Sequence, residues 1–448
     1  MRVTEGKATN RDRWVCATAG MVLSGVAAAA SAAVPAAAGP VVWLAGVLAA
    51  AFVLRQGLLS FVVRFCRVAR APNTNRRPSF TFIIPCLNEL PALYRSVPAM
   101  KTLGYDGELT LLYVCERAST DGSLEYLRGK AEGNPRISLI EKDTAPAGRG
   151  AAVACGLRGA PDSEVVGFLD ADHVLDQPSL NELARLFGQD DPPPAVQGRC
   201  ETLNESPNAL VRLLTTERHW LERVELLAGP RLGAIRQFGG GQGFFRTEVL
   251  KQPSAAIDEG MILDDTDLSV RMALDGRRIE FSPHISTRSL QPETFTAFFD
   301  QRFRWTRGWL QLARKYFPPP LRSGGASFVT RLDLLRLVTT PVAGLVLWVG
   351  FVAAAVGLTA GGPARPPLPL AWACLLWPLL LSVAPFLADT LPRRLTDLPL
   401  VLAGIPLLTL FYTWVCAAAV VDVFLLRRAP RYGKTAKRVA NSKEAAGC

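Results

Sequence analysis

Two carboxylates separated by one residue follow an apolar run in the middle of the chain. They are Asp170 and Asp172, within the segment FLDADHVLD that begins at Phe168. Alternate side chains of an extended strand share a face, so both groups can converge on one hard cation beyond the strand end. Mg²⁺ and Mn²⁺ prefer carboxylate oxygens and often bridge to substrate phosphates. A solvated acidic turn is the alternative. His173 could add a further ligand, but we expect it to make an ordinary hydrogen bond.

Polar side chains also follow two earlier apolar runs. Asn88 and Glu89 come after the run 80–85, and Glu116 comes after the run 109–114. Side chains at such strand ends can contact the base or ribose of a nucleotide. The alternative for Asn88 is helix capping, because asparagine is a favoured N-cap residue.

A glycine-dense stretch and an acidic pair lie further along the chain. The glycines within 239–243 would let a ligand approach the backbone closely, and a tight turn is the alternative. Asp264 and Asp265 open an amphipathic helical segment, where the helix dipole favours acids. If Asp265 lies in a cleft beside other carboxylates, its pKa rises and it is suited to act as a general base.

The segment DQRFRWTRGWLQ, residues 300–311, combines arginine and tryptophan directly before the apolar C-terminal part. Arginine can clamp a phosphate with paired N–H donors. Arg307 and Trp309 have a simpler explanation, since both residue types are enriched in helices at the water–lipid interface. We therefore expect those two residues to form part of an interfacial belt.

The middle of the chain alternates strand-like and helix-like segments, which predicts an α/β domain over 78–318 with a mixed, mostly parallel sheet. In such sheets ligands bind beyond the carboxyl ends of the strands, where the polar residues above occur. The predicted strands are 80–85, 109–114, 136–140 and 165–170, and the helical stretches include 121–130 and 148–158.

The composition indicates a membrane protein with a soluble middle. The chain has 448 residues, 49% of them hydrophobic, and a net charge of +11. The basic residues flank the apolar runs at both ends, which favours cytoplasmic membrane flanks over nucleic-acid binding. Nine cysteines are scattered without CxxC spacing, and three histidines do not complete a zinc motif. We expect reduced thiols and no nucleic-acid partner.

The segment 14–63 contains two apolar runs, each long enough for a transmembrane helix. Basic residues precede and follow the pair, which predicts a hairpin with the N-terminal segment 1–13 and the middle domain both in the cytoplasm. A secretory signal peptide is the alternative for the first run.

The region 333–424 contains about three further apolar runs, after a segment, 319–332, that we expect at the membrane interface. Three crossings from a cytoplasmic domain would leave the basic tail, 425–448, outside, against the positive-inside tendency. Either that tendency is broken in this protein, or one run is re-entrant or interfacial.

Six motifs in this order resemble the family 2 glycosyltransferases, of the membrane-embedded, inverting kind that includes cellulose, hyaluronan, chitin and poly-N-acetylglucosamine synthases. The likeness covers about 80–312. The motifs are PCLNE, a strand-end acid followed by STDG, DAD, GGGQGFF, LDDTDL and QRFRW, and the last matches the Q(Q/R)xRW signature in full.

The resemblance implies a GT-A fold, a nucleotide-sugar donor that is usually UDP-linked, and Mg²⁺ or Mn²⁺ as cofactor. It also implies a base that takes the proton of the acceptor hydroxyl in a single inverting displacement at C1. The implied roles are nucleotide contact for Asn88, Glu89, Glu116 and Asp170, cation binding for Asp170 and Asp172, catalysis for Asp265 with Asp264, and contact with the acceptor and diphosphate for Gln301, Arg302, Arg304 and Trp305.

The chain departs from the family pattern in two places. Glu116 and Arg117 stand where family members commonly have two aspartates, and the residues 263–265 read LDD where many synthases have TED. Glutamate has a longer reach than aspartate, and Arg117 reverses a charge, so we do not expect Arg117 to contact the nucleotide. In the LDD segment, Asp264 and Asp265 still supply both carboxylates of the TED pattern.

The resemblance implies a multi-pass hexosyltransferase of the plasma membrane, with a cytoplasmic catalytic domain, that extends a β-linked polysaccharide and passes it across the membrane. Its implied partners are a UDP-sugar, the growing glycan, membrane lipids and accessory export proteins. Transfer of one sugar to a lipid acceptor is the alternative, and an inactive sugar-binding subunit is a third hypothesis. The length of the product distinguishes the first two.

Overall fold

The computed structural model describes residues 35–143, 145–204, 208–318, 325–359, 368–388 and 395–428, with the short stretches 4–5, 15, 18, 20–26, 28–29, 390 and 431–432. Most of the predicted segments 1–13 and 425–448 lies outside these residues. Within them, Thr4–Glu5 (β1) pairs in parallel with a strand near the C-terminus, Arg431–Tyr432.

The middle domain is built on one sheet of eight strands. Its strands are β2 (Phe80–Cys86), β3 (Leu109–Glu116), β4 (Ile137–Lys142), β5 (Val165–Phe168), β6 (Val174–Leu175), β7 (Ala195–Thr202), β8 (Gly243–Arg246) and β9 (Ile279–Ser289), and Arg431–Tyr432 is β10. The order across the sheet is β4-β3-β2-β5-β8-β7-β9-β6. β8 runs antiparallel between β5 and β7, whereas β2 pairs in parallel with β3 and β5. The mixed, mostly parallel sheet is confirmed, and the four predicted strands agree to within two residues at each end.

Thirteen α-helices have their bounds within the described residues. They are α1 (Pro35–Val62), α2 (Leu90–Lys101), α3 (Ser123–Ala131), α4 (Arg149–Gly159), α5 (Gln177–Phe187), α6 (Ala209–Leu221), α7 (Thr247–Leu250), α8 (Asp264–Leu274), α9 (Phe295–Tyr316), α10 (Phe328–Thr359), α11 (Leu368–Leu381), α12 (Ala384–Leu387) and α13 (Leu398–Val420). π-helical turns extend α6 over Glu222–Ala228 and α13 over Val421–Leu425.

Alternate residues of β2 fill two apolar cores, one on each face of the sheet. Phe80 and Phe82 pack into a core with Leu93 of α2 and residues of α3 and α5. Ile83 packs into the other core with Val153 of α4 and residues of α8. A strand covered on both faces by helices reads as a continuous apolar run, which is why FTFIIP predicted a buried strand.

Three helices of the described chain are long and apolar enough to cross a membrane: Gly39–Phe65, Phe328–Thr359 and Leu398–Leu425. The apolar helix Pro369–Leu381 is shorter. At 1.5 Å per residue it measures roughly 20 Å, against the roughly 30 Å of a bilayer core. The first predicted N-terminal span and the predicted interfacial segment lie partly outside the described residues.

The domain rests directly on the apolar helices through α6 and α9. Leu213 of α6 and Phe298 of α9 share an apolar cluster with Ile405 of α13. Trp220 of α6 shares another with Leu59 of α1. The helix that carries the QRFRW motif is therefore placed between the sheet domain and the apolar helices.

Candidate active site

A cleft of about 490 Å³ opens beyond the carboxyl ends of β2, β3 and β5. The sequence-predicted site residues that line it are Glu89, Glu116, Asp170, Asp172, Asp264, Asp265, Gln301, Arg304 and Trp305. The two remaining predicted residues, Asn88 and Arg302, are not among its lining residues. Side chains from five separate motifs therefore meet in one place, as the strand-end rule for parallel sheets predicts.

The DAD motif forms a turn just after β5 and supplies a candidate cation site. Ligand atoms of Asp170, Asp172 and His173 all lie within 4.8 Å of one another. The backbone N–H of Leu290 donates to Asp172 Oδ2 at 3.1 Å, and His173 Nδ1 lies 3.2 Å from Thr287 Oγ1. These contacts hold both side chains in place. His173 makes the expected hydrogen bond, and it also belongs to the cluster. Two carboxylates with one imidazole fit a divalent cation of the Mn²⁺ type.

Arg149, which the sequence analysis did not single out, joins this cluster to the acidic pair of α8. Its Nε donates to Asp170 Oδ1 at 2.8 Å, and its Nη1 donates to Asp264 Oδ2 at 2.5 Å. Its Nη2 donates to the backbone carbonyl of Gly240. Asp264 is only 2% exposed, and a buried carboxylate requires such a partner. One feature of the sequence could have indicated a special role for Arg149. It is the first residue of α4, where the helix dipole disfavours a cation.

Asp265 begins α8 beside Asp264 and has a strongly perturbed acidity. Burial, together with the negative charge of Asp264, raises the pKa of Asp265 to about 7. The backbone N–H of Thr266 donates to Asp265 Oδ1 at 2.6 Å and holds the carboxyl group in place. A carboxyl group with a pKa near neutrality can accept and release a proton under physiological conditions.

The glycine-dense loop passes too close to these groups for a side chain. A Cβ on Gly240, whose φ is +79°, would lie 3.0 Å from Asp265 Oδ2. A Cβ on Gly241 would lie 2.2 Å from His173 Cε1. The loop is thus a wall of the cleft, and its glycines are required by close approach to the acidic and histidine side chains.

Glu116, the last residue of β3, also lines the cleft. Glu116 is 2% exposed and its Oε1 lies 3.5 Å from Lys142 Nζ. Arg117 points elsewhere, because its guanidinium pairs with Glu141 at 3.3 Å and with Asp143 at 3.1 Å on the surface. Arg117, which reverses a charge of the family pattern, is therefore not among the residues that line the cleft.

Asn88 connects two loops rather than capping α2. Its Oδ1 accepts from the backbone N–H of Thr120 at 2.8 Å, and its φ of 52° lies in the left-handed region that asparagine tolerates. Asp121 Oδ2 accepts from the backbone N–H of Leu90, the first residue of α2, at 2.9 Å. Asn88 thus fixes the loop that carries Glu89 into the cleft.

Helix α9 turns Gln301, Arg304, Trp305 and Trp309 towards the cleft. Residues spaced by three or four share a face of a helix, which groups these four side chains, and Arg302 lies beside them without lining the cleft. Its Nη2 lies 3.3 Å from Glu217 Oε2, and its guanidinium stacks over Trp305 at 4.4 Å from the ring centre. Trp309, which we expected at the lipid interface, is thus part of the cleft wall.

The comparisons with known proteins agree with this arrangement. Residues 78–308, just over half of the chain, match the family model described as glycosyltransferase like family 2. The protein belongs to this family. That membership confirms the glycosyltransferase class, and the curled, mostly parallel sheet confirms the GT-A fold.

Three relatives illustrate the range of this glycosyltransferase's neighbours. It is 23% identical over 240 residues to the probable glycosyltransferase YdaM of Bacillus subtilis, covering 53% of this chain and 56% of that protein. It is 27% identical over 245 residues to a poly-β-1,6-N-acetyl-D-glucosamine synthase of Staphylococcus aureus, with coverage of 53% and 56%. It is 26% identical over 281 residues to a probable glucomannan 4-β-mannosyltransferase of Oryza sativa, with coverage of 59% and 47%. The chain thus spans about half the length of the curated relatives it matches.

Among solved structures, the mannosyltransferase PcManGT from Pyrobaculum calidifontis, determined with GDP-Man and Mn²⁺, superposes with a TM-score of 0.56 at 22% identity. The match covers 86% of this glycosyltransferase and 99% of that chain. Coverage of this extent includes apolar helices as well as the sheet domain, so the fold likeness extends beyond the catalytic domain.

Proposed function

We propose that this protein is a cation-dependent, inverting glycosyltransferase that moves a hexose from a UDP-sugar onto the end of a β-linked glycan. The observation that carries the proposal is the meeting, in one cleft, of the cation cluster at Asp170, the acid Asp265 and the helix that bears Trp305. The reaction would take place at the cytoplasmic face of the plasma membrane. Passage of the glycan across the membrane and contact with lipids and export proteins belong to the same proposal.

The donor would bind with its nucleoside near Glu89 and Glu116 and its diphosphate near Asp170 and Asp172. His173 adds an imidazole to the two carboxylates, which favours Mn²⁺ over Mg²⁺ in this role. A bound cation would neutralise the diphosphate and hold it in position. Arg304 would donate hydrogen bonds to the phosphate oxygens, since arginine matches phosphate geometry.

In the transfer step, Asp265 would accept the proton of the acceptor hydroxyl as that oxygen attacks C1 of the sugar. The new C1–O bond forms on the face opposite the breaking bond to the diphosphate, which inverts the configuration at C1. A positioned base of this kind contributes on the order of 10²–10⁴ in rate. Arg304 would stabilise the negative charge that develops on the leaving diphosphate.

Transfer of a single sugar to a lipid acceptor is the second candidate. It is supported by the position of α9, which lines the cleft on one side and packs against α13 on the other. A lipid-linked acceptor could therefore reach the cleft from the membrane. The third hypothesis, an inactive subunit, is disfavoured by the presence of Asp172, Asp265 and Trp305 in the same cleft.

Full-length protein in membranes, supplied with Mn²⁺ and labelled UDP-glucose, UDP-N-acetylglucosamine or GDP-mannose, tests the proposal. We include GDP-mannose because one relative at 26% identity is named a mannosyltransferase. We expect nucleotide release from a UDP-sugar and a polymeric product; a single-sugar glycolipid would favour the second candidate. Asp265→Asn should lower transfer by on the order of 10²-fold or more while nucleotide binding persists.

The matched control is Asp275→Asn, just beyond the C-terminal end of α8, where Asp275 accepts from Ser254 at the surface. This variant should transfer sugar at the wild-type rate. Turnover retained by Asp265→Asn would remove Asp265 from the role of base, and the absence of nucleotide release from every donor would refute the proposed activity.

A further inference from the structure

One wall of the cleft is not used in the proposed transfer. It is formed by the end of α6 and the π-helical turn that follows, and it includes Arg218 and Glu222. Trp305 and Trp309 of α9 line the same cleft. π-helical turns are uncommon and frequently occur at functional sites, so this wall is a place to look for ligand contacts.

The carboxyl group of Glu222 is held in a defined position. Its Oε1 accepts from the backbone N–H of Cys200 at 3.0 Å. The neighbouring Arg218 directs its Nη1 to Cys200 Sγ at 2.9 Å and to Ser289 Oγ at 3.1 Å. Arg218 thus hydrogen-bonds the sheet and brings positive charge near Glu222. Burial raises the pKa of Glu222 to about 7 despite that charge, which marks a carboxyl group kept in a costly environment.

The part of the cleft formed by α9 offers flat apolar surface. Trp305 and Trp309 are four residues apart, so they lie on one face of α9, displaced by about 6 Å along the helix. Gln301 lies on the same face one turn earlier and adds amide hydrogen-bonding groups. Indole faces and a fixed carboxyl group in one cleft suit a ligand with apolar C–H faces and hydroxyl edges.

The charge of this wall decides what kind of ligand it would accept. When ionised, Glu222 repels a diphosphate, and the guanidinium of Arg218 is already engaged with Cys200 and Ser289, so this wall does not suit the donor. An alkyl chain laid against Glu222 would remove water from the carboxyl oxygen that the Cys200 N–H does not contact, which is costly. A neutral carbohydrate suits both surfaces. Its hydroxyls can donate to the carboxyl group of Glu222, and its C–H faces can pack against the indole rings of α9.

We infer that the space between the π-helical turn and α9 binds the terminal sugar units of a carbohydrate acceptor, with Glu222 accepting hydrogen bonds from sugar hydroxyls and Trp309 extending the apolar face begun by Trp305. The inference rests on the proposed function, since it takes the Trp305 end of the cleft as the acceptor end. It makes Glu222 a determinant of acceptor recognition and Trp309 a second sugar-contacting residue.

Binding of β-linked tetrasaccharides of glucose, mannose and N-acetylglucosamine to the full-length protein in detergent tests the inference. Quenching of tryptophan fluorescence reports binding without requiring turnover. We expect at least one tetrasaccharide to bind and Glu222→Gln to weaken its Kd about tenfold, the cost of losing a charged hydrogen-bond acceptor. Glutamine retains an oxygen for the Cys200 N–H, so the variant preserves the local fold. Trp309→Ala should weaken binding to a similar extent.

Glu201→Gln is the matched control, because Glu201 lies on β7, pairs with Arg199 and Arg288 at 3.6 and 3.7 Å, and is not among the residues that line the cleft. It should bind as the wild type does, and the Kd for UDP with Mn²⁺ should stay within about twofold in all variants.

Unchanged tetrasaccharide binding by Glu222→Gln, or an equal loss of UDP binding, would overturn the inference. Nucleotide release with no tetrasaccharide binding by the wild type would also overturn it while leaving the transferase activity in place. Absence of nucleotide release would refute the proposed function alone.

Discussion

At the scale of single residues, the cleft is organised by one guanidinium shared among acids. Arg149 bonds Asp170, which belongs to the candidate cation site, and Asp264, which adjoins Asp265. Its charge offsets the repulsion among carboxylates that would otherwise separate them. The cation cluster and the candidate base are therefore electrostatically linked before any ligand binds.

The acidity of Asp265 predicts the pH dependence of transfer. With a pKa of about 7, Asp265 is protonated below that pH and cannot accept the proton of the acceptor. We expect kcat/KM, which reports groups of the free enzyme, to rise as pH increases through about 7. The measurement is transfer at saturating Mn²⁺ over about pH 5 to 9, with thermal unfolding recorded at each pH as the control. A flat profile across pH 7 from a folded protein would contradict the assignment.

Substituting Arg149 should affect both stability and acidity. Arg149→Met leaves Asp264 buried beside Asp265 without its ion-pair partner, and breaking such a pair costs about 3–5 kcal/mol of unfolding free energy. Loss of the positive charge should also raise the pKa of Asp265, so the acid limb of kcat/KM should move to higher pH.

The control for that substitution is Arg158→Met on the same helix, where Arg158 pairs with Glu259 at 2.9 Å and is 65% exposed. Exposed pairs contribute about 0–1 kcal/mol, so this variant should unfold near the wild-type temperature. Equal thermal stability of the two variants in detergent would show that Arg149 does not hold the acids together.

At the scale of secondary-structure elements, α9 has two functional faces. One face lines the cleft with Gln301 and Trp305, and the other attaches the helix to the apolar part of the molecule. Arg302 reaches Glu217 of α6, whose Oε1 accepts from the hydroxyl of Tyr412 on α13. The orientation of the Trp305 ring is thereby connected to an apolar helix outside the sheet domain.

Removing Arg302 should therefore disturb the proposed acceptor end of the cleft selectively. We expect Arg302→Ala to raise the KM for the acceptor about tenfold, because a guanidinium–indole contact contributes about 1–2 kcal/mol to holding the ring. The KM for the donor should change little. Arg302→Lys should restore only part of the effect, since lysine lacks the planar stacking group.

Arg307→Ala provides the comparison, because Arg307 also fastens α9 to the end of α13 by pairing with Asp422 at 3.3 Å. It is not among the residues that line the cleft, so its loss should lower stability without a selective rise in acceptor KM. If both variants changed acceptor and donor KM alike, the arginine at 302 would be a structural tether and not a positioning residue for Trp305.

At the scale of the whole molecule, the sheet domain and the apolar helices form one packed unit. Leu213, Trp220 and Phe298 of the domain are buried against α1, α10 and α13. Arg307 Nη2 also donates to the backbone carbonyl of Arg428 at 3.3 Å, so the start of the basic tail lies against the domain. We propose that the tail and the domain share one side of the membrane, which agrees with the positive-inside tendency and favours an even number of C-terminal crossings.

A fragment limited to 78–318 should not behave as an independent soluble domain. Its α6 and α9 would expose the apolar faces that now contact the apolar helices, and exposed patches of this kind promote association. We expect the fragment to aggregate on size-exclusion chromatography without detergent, whereas the full-length protein in detergent elutes as a defined species. A monomeric fragment that remains soluble without detergent would contradict this view of the interface.

Much of the fold follows from local patterns in the sequence. Short β-branched runs predicted β2, β3, β4 and β5 because strands buried on both faces need continuous apolar residues. The polar residues after those runs predicted the cleft, because parallel strands deliver their carboxyl ends to the same edge of the sheet. The order of the motifs then indicated the family, which the family match confirms.

The sequence by itself determined which residues stand at strand ends and which helices are apolar, because both depend on neighbours along the chain. Only the tertiary structure decided that Arg149 bonds Asp264, that α9 turns Arg302 out of the cleft and Trp309 into it, and that Glu222 lines the same cleft. These contacts join segments far apart in sequence, and they depend on the rotation and packing of helices against the sheet. A periodic pattern identifies the face of a helix, but the partner of that face is set by how all the elements pack together.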